Sequence, residues 1–282
     1  MKVEDVKKLS SMERLLYWIR ERESIRIKKE AGEPAPWTDD VILQRYRFCN
    51  VRRADDKVSR WLLKNWYEPF FGHPNMLLAV ALARFVNKPE TLEKIGFPEK
   101  WEAAKIRKVM RKLKEKGETI FNAAYMVRGN DGQDKTDSVV TYYVGGLRKK
   151  PPVIDSTSME RTWEALECRY GYGSFMAGQV TADLRWALPG TWEDRMTWAP
   201  LGPGSCRGLN RLYGFAARVT QKEEEFKGML EDTIETLRES LPQEISGRLE
   251  AHDYQNCLCE FSKFEKALWN DGRPKQLYRG GI

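Results

Sequence analysis

CRYGYGSFMAGQVTADLRW, residues 168–186, decides how the rest of the chain is read. Gly171 and Gly173 flank a single residue, and the stretch after them places Phe175, Ala177 and Val180 at helical spacing. Glycine tolerates the left-handed backbone of a tight turn, so the pattern predicts a hairpin between two helices. Such a hairpin exposes backbone N–H groups at a helix start, where a DNA phosphate can bind. Gly171, Gly173 and Ser174 are therefore candidate DNA contacts. Asp194 follows 21 residues after the second glycine.

Working outward, helical patterns dominate. The N-terminal stretch carries Val6, Leu9, Met12, Leu15, Leu16 and Ile19 at three- and four-residue steps, predicting one long amphipathic helix ending at Gly32. Thr38 or Asp39 is placed to cap the next helix. Pro74, Pro89 and Pro98 suit first helical turns. FPEKWEAAKIRKVMRKLKEKGE sets Trp101, Ile106, Met110 and Leu113 on one side, with Arg107, Lys108, Arg111, Lys112, Lys114 and Lys116 around the rest, a solvated face or a phosphate contact. RGNDGQDKTD reads as a polar loop. SVVTYYVGGL has β-type composition and reads as either a short β element near 139–147 or a buried helix. QKEEEFKGMLEDTIETLRESL is a long exposed helix, and NCLCEFSKFEKAL a shorter one. The expected fold is mainly α, a helical bundle with a helix-hairpin-helix core. It forms a single domain over 1–282, or two lobes, 1–150 and 151–282, divided at Pro151-Pro152.

The 282 residues carry 48 basic against 41 acidic side chains, a net charge of +7 that favours anionic partners. No apolar run approaches the roughly 20 residues that span a bilayer, so no membrane partner is expected. Five scattered cysteines and two histidines offer neither a disulfide framework nor a zinc spacing.

Three further stretches hold residues able to handle an anion. RYRFCNVRRADD, residues 45–56, packs four arginines, two rings and two aspartates together. Arginine suits phosphate because its planar fork donates two parallel hydrogen bonds and stays charged. Arg52 and Arg53 are candidate phosphate ligands and Arg45 a DNA contact; Asp55 or Asp56 suits a helix cap, and surface pairing between these charges is the alternative. In LGPGSCRGLNR, residues 201–211, the glycines imply a constrained loop with Ser205 and Arg207 facing an anion. It is not a nucleotide-binding Gly-Lys-Ser/Thr loop, which disfavours an ATP-using kinase. In QNCLCEFSKFEK, Glu260 and Lys263 share one helical face, as an ordinary ion pair or as a catalytic pair lining a site.

Taken in order, these stretches resemble a known group. YWIRERESIRIKKEAGEPAPWTDDVILQRYRFCNVRRADDKVSRWL, GYGSFMAGQVTADL, GPGSCRGLNR and NCLCEFSKF are similar to the bacteriophage DNA thymine-hypermodification proteins. These comprise the α-glutamyl/putrescinyl-thymine pyrophosphorylases, or amino acid:DNA transferases, and the helical domain of 5-hydroxymethyluracil DNA kinases. The resemblance runs from about Tyr17 to Lys263. It implies an enzyme that displaces phosphate or pyrophosphate from 5-(pyro)phosphomethyluracil in DNA with the amine of an amino acid or polyamine. It further implies work in the cytoplasm of an infected bacterium, beside a 5-hydroxymethyluracil DNA kinase. No cofactor is required by this reading, though Mg²⁺ accompanies many pyrophosphate leaving groups. The hairpin also resembles that of helix-hairpin-helix DNA glycosylases, whose catalytic aspartate follows at similar spacing; the surroundings of Asp194 and the missing Leu-Pro depart from that pattern. Base excision and non-catalytic DNA binding thus stand as the alternatives.

Overall fold

The computed structural model describes residues 1–122, 129, 132–272, 274 and 276–278. Among these, regular structure is helical, and extended pairing is limited to an isolated bridge between Tyr46 and Leu277. The chain divides into two units: one joins Met1–Asp56 to Met196–Ile282, and the other is Lys57–Arg195. The boundary expected at Pro151-Pro152 is thus corrected. Those prolines interrupt helices inside the second unit, whereas the true divisions carry no proline or glycine signal.

In the first unit, the N-terminal pattern splits into Val3–Lys8 and Ser11–Glu30, correcting the single helix expected. Ser10 is the reason: its hydroxyl accepts from the Glu13 N–H while Glu13 accepts from the Ser10 N–H, a reciprocal cap that starts a new helix. The next helix, Val41–Arg45, is capped by Asp40, one residue beyond the positions expected, with Oδ1 accepting from Ile42 and Leu43. The shorter helix expected near Asn256 instead spans Ala251–Leu268 and lies at the centre of this unit. Leu258, Phe261 and Phe264 are buried in its core with Leu15, Trp18 and Ile19 of Ser11–Glu30. The helix Glu223–Ser240 adds Phe226, Leu230, Ile234 and Leu237 to the same core.

Helix Pro203–Leu212 packs on Ala251–Leu268 at close range. A Cβ on Gly208 would lie 2.2 Å from the Leu258 carbonyl oxygen, and one on Gly204 would lie 2.8 Å from Cys259 Sγ. The glycines of LGPGSCRGLNR therefore serve backbone approach between two helices. The anion loop expected there is corrected: Ser205 is fully buried, its hydroxyl donating to the Gly202 carbonyl and accepting from Gln255 Nε2.

The second unit is built around Met76–Val86, an almost wholly buried helix, and Gly173–Ala187. Between them Arg84 grips Asp183 through two hydrogen bonds of 2.6 Å, and Tyr67 donates to the same carboxylate at 2.5 Å. Pro89 opens helix Pro89–Ile95 as expected, while Pro74 and Pro98 precede their helices by more than one residue. The ambiguous β-type stretch is helical, a wide turn over Ser138–Val144 continuing into Gly145–Lys149. Val139, Val140, Tyr143, Val144 and Leu147 are buried, which is a helical stripe hidden inside a β-branched run. The β element is therefore withdrawn. Residues 128, 130 and 131 of the predicted polar loop lie outside the described residues; its end forms a short turn capped by Asp134.

Candidate active site

Helix Ala251–Leu268 has a polar side that its core position does not call for. His252, Asp253, Asn256 and Glu260 are all at least nine-tenths buried; Asp253, Asn256, Glu260 and Lys263 follow at three- and four-residue steps along one face, with His252 beside Asp253. Buried polar side chains cost free energy unless satisfied, so such a face points to use rather than to packing.

Residues 49–53 lie along this face. The Cys49 N–H donates to Glu260 Oε2 at 3.1 Å, the Cys257 thiol approaches the Val51 carbonyl at 3.6 Å, and the Arg53 N–H donates to Asp253 Oδ1 at 2.8 Å. The strap is held from behind by Arg22 of Ser11–Glu30. Its Nε donates to the Cys49 carbonyl at 3.0 Å and its Nη2 to Asn50 Oδ1 at 2.6 Å. Asn50 then closes the turn, donating its N–H to Asp56 Oδ1 and its Nδ2 to the Asp55 carbonyl. Asp56 thus braces the loop from the position immediately before helix Lys57–Leu62, where a helix cap was expected.

At the end of the face, Lys263 Nζ sits 2.6 Å from Glu260 Oε1. Glu260 is enclosed, while Lys263 stays 40% exposed, so the pair has one sealed and one open member. Burial works to lower the Lys263 pKa, but the attraction and hydrogen bond of Glu260 outweigh it and hold the ammonium above its ordinary value. Burial also pushes the Asp56 carboxyl up. The thiols are driven the same way: burial, with the Glu260 charge behind it, raises Cys49 well above the usual range and lifts Cys259 to about 12. Cys206 is likewise raised by burial. None of these sulfurs is prepared as a thiolate, since nucleophilic cysteine needs a depressed pKa. Among the described residues no cluster of three or more metal-ligating side chains occurs.

The structure brings some of the predicted residues together and leaves others apart. Glu260, Lys263 and Arg53 share the strap-and-helix site, and exposed Arg207 lies near enough for its charge to reach the Cys206 and Cys259 thiols. Arg52 is half-exposed and pairs with Asp55 at 3.8 Å, and Arg248 reaches the same carboxylate at 3.1 Å. Arg45 is exposed, its guanidinium over the Tyr46 ring. Asp194, Gly171, Gly173 and Ser174 belong to the second unit. There Asp194 accepts from the Ser158 hydroxyl and from the N–H groups of Met159 and Glu160 at 2.7–3.0 Å, fastening the start of helix Met159–Glu167. That is a capping role. Gly171 and Gly173 form the predicted turn between Met159–Glu167 and Gly173–Ala187, with φ of 86° and 55°. Arg22, Asp253 and Asn256 were missed. The signal for the last two was present as polar residues recurring along an otherwise apolar helix; nothing local marks Arg22.

A family model described as the helical domain of 5-hmdU DNA kinase matches residues 10–273. A 5-hmdU DNA kinase of Bacillus phage SP10 is 26% identical over 284 aligned positions, covering 88% of this chain and 44% of that relative. The chain thus spans less than half the length of the curated relative it matches. No solved structure matches.

Proposed function

Since this chain belongs to the family of the 5-hmdU DNA kinase helical domain, we propose that it acts in the hypermodification of thymine in phage DNA, as an amine-to-base transferase. The substrate is DNA bearing 5-phosphomethyl- or 5-pyrophosphomethyl-uracil, and the co-substrate is an amino acid or a polyamine. The nitrogen lone pair forms a bond to the exocyclic methylene carbon while the carbon–oxygen bond breaks, its electrons leaving on the (pyro)phosphate oxygen. The proton released from nitrogen passes to the Glu260 carboxylate. Lys263 and Arg207 meet the charge growing on the leaving group, and Arg53 supports them from the strap. Mg²⁺ enters with a pyrophosphate leaving group, as part of the substrate.

The observation that carries this reading is the half-open Glu260–Lys263 pair. A proton acceptor and a cation stand 2.6 Å apart, with the cation reaching solvent. Substitution by an amine needs those two roles, and transfer from ATP needs a phosphate-cradling loop that this sequence lacks. The test is to incubate modified DNA with a mixture of amines, digest it to nucleosides and read the masses. A nucleoside heavier by the amine less water, relative to 5-hydroxymethyl-2′-deoxyuridine, supports the transferase. Unchanged masses with every amine overturn it, and abasic products would indicate excision.

A second reading has its own support. The family description names one domain of a kinase, and the alignment covers 44% of the relative. Tight DNA binding with no mass change, and faster base phosphorylation when a 5-hydroxymethyluracil kinase is added, would make this chain the DNA-holding partner of such a kinase.

A further inference from the structure

The Gly171–Gly173 turn of the second unit is held from beneath by aromatic rings. Tyr172 is buried with its ring 5.2 Å from Phe85, and a Cβ on Gly171 would strike the Tyr143 ring at 2.1 Å. The rings on either side are left in solvent: Tyr170 is 65% exposed and Phe175 46%. Exposed large aromatics on both sides of a rigid turn mark an interaction surface.

The turn is tied to a cationic helix. Arg107 of Ala103–Glu115 donates to Thr141 Oγ1 at 2.9 Å, and Arg111 holds Asp137 at 2.7 Å. The segment they grip leads two residues on to Tyr143, whose ring lies 5.7 Å from that of Tyr170. Lys105 and Lys114 are also in ion pairs. Lys108 and Lys112 are exposed and one turn apart, and among the described residues neither has an ion-pair partner. Both lie on one open face of this helix with Arg107 and Arg111, and Glu115 borders the same face.

We propose that this surface binds a single-stranded segment of DNA, with unpaired bases stacking on Tyr170 and Phe175 and phosphates meeting Lys108 and Lys112. The choice of occupant follows from the chemistry. Cations with no ion-pair partner among the described residues call for an anion, and exposed rings call for flat apolar faces, which a duplex hides in its own stack and a single strand presents. The proposal rests on the reading that DNA is the substrate, and it adds that the DNA is engaged where its bases are unpaired.

Fluorescence anisotropy of the full chain with oligothymidine, and with a duplex of equal length, tests it. Tyr170→Ala with Phe175→Ala should weaken oligothymidine binding about tenfold to a hundredfold, and duplex binding less than twofold. Lys108→Gln with Lys112→Gln should flatten the salt dependence of single-strand binding by about 1.4 in log–log slope, about 0.7 for each phosphate no longer neutralised. The lysine pair is an independent arm should the aromatic variant fold poorly, as judged by circular dichroism. Equal losses on duplex and single strand would overturn the stacking role. Wild-type binding that neither double variant alters would overturn the surface while leaving the transferase untouched, because turnover is read separately by mass. If the wild-type chain binds neither DNA, both readings fall.

Discussion

Two ion pairs of the molecule, one in each unit, are built differently. Arg84–Asp183, in the second unit, is closed: the side chains are 3% and 0% exposed, and Tyr67 and Ser59 add hydrogen bonds. Glu260–Lys263, in the first, buries its carboxylate and leaves its ammonium in reach of solvent. A saturated pair can only hold structure, because each lone pair and proton already has a partner. A half-open pair keeps a cation for something that is not protein. Charge and burial alone would rank the first pair as the stronger site candidate; accessibility reverses that order.

Breaking the closed pair should produce the largest effect on folding. Arg84→Met leaves Asp183 uncompensated inside the protein, and a loss of about 3–5 kcal/mol of stability is expected from urea denaturation. A loss below about 1 kcal/mol would mean that Asp183 finds another partner or a proton, and the contrast between the two pairs would dissolve. Glu260→Gln should do the opposite. The amide keeps the shape and an acceptor for the Cys49 N–H, so the chain stays folded, while turnover in the nucleoside-mass assay falls by roughly 100-fold or more as the proton acceptor is removed. Retained turnover would return Glu260 to a purely structural pair.

The two glycines of the hairpin sharpen the same distinction between space that is filled and space that is open. Gly171→Ala places a methyl group in the buried Tyr143 ring at positive φ, and a cost of about 1–3 kcal/mol is expected from thermal unfolding. At Gly173 nothing lies within 4 Å, so Gly173→Ala should cost only the left-handed backbone, about 1 kcal/mol. Equal losses would show that backbone conformation, not the ring, decides both. The smallest effect belongs to pH. A lysine pKa raised by folding contributes stability that is complete below the ordinary lysine range and disappears as pH climbs through the higher folded value. Because Lys263 is half-exposed, water screens this contribution to below about 1 kcal/mol. Lys263→Met should remove that part of the alkaline loss, seen as a flatter stability profile above about pH 10.

Much of the molecule is legible without its fold. The Gly-x-Gly turn is legible because few other residues accept two left-handed positions so close together, and the structure adopts it at Gly171 and Gly173. Glu260 and Lys263 are legible as an i,i+3 pair on one helix. The stretch around Val139 is not, since β-branched residues in a short apolar run serve a strand or a buried helix alike; packing against neighbours settles it. Asp194 misleads because spacing from a hairpin says nothing about which N–H groups a carboxylate will meet. LGPGSCRGLNR misleads because a glycine that admits an anion and one that admits a neighbouring helix look the same in sequence.

Local sequence by itself determined the helical class, the hairpin, the basic character of the helix around Lys108, and the pairing of Glu260 with Lys263, because each depends on residues within about one helical turn or a single tight turn. Tertiary structure decided the rest. It brought the strap at residues 49–53 alongside a helix some 200 positions later, through Cys49–Glu260 and Arg53–Asp253 bonds. It sealed Asp183 and left Lys263 open, and it placed Asp194 and Glu260 in different units. Burial and partnership are properties of the packed chain, and they convert a list of charged residues into a site.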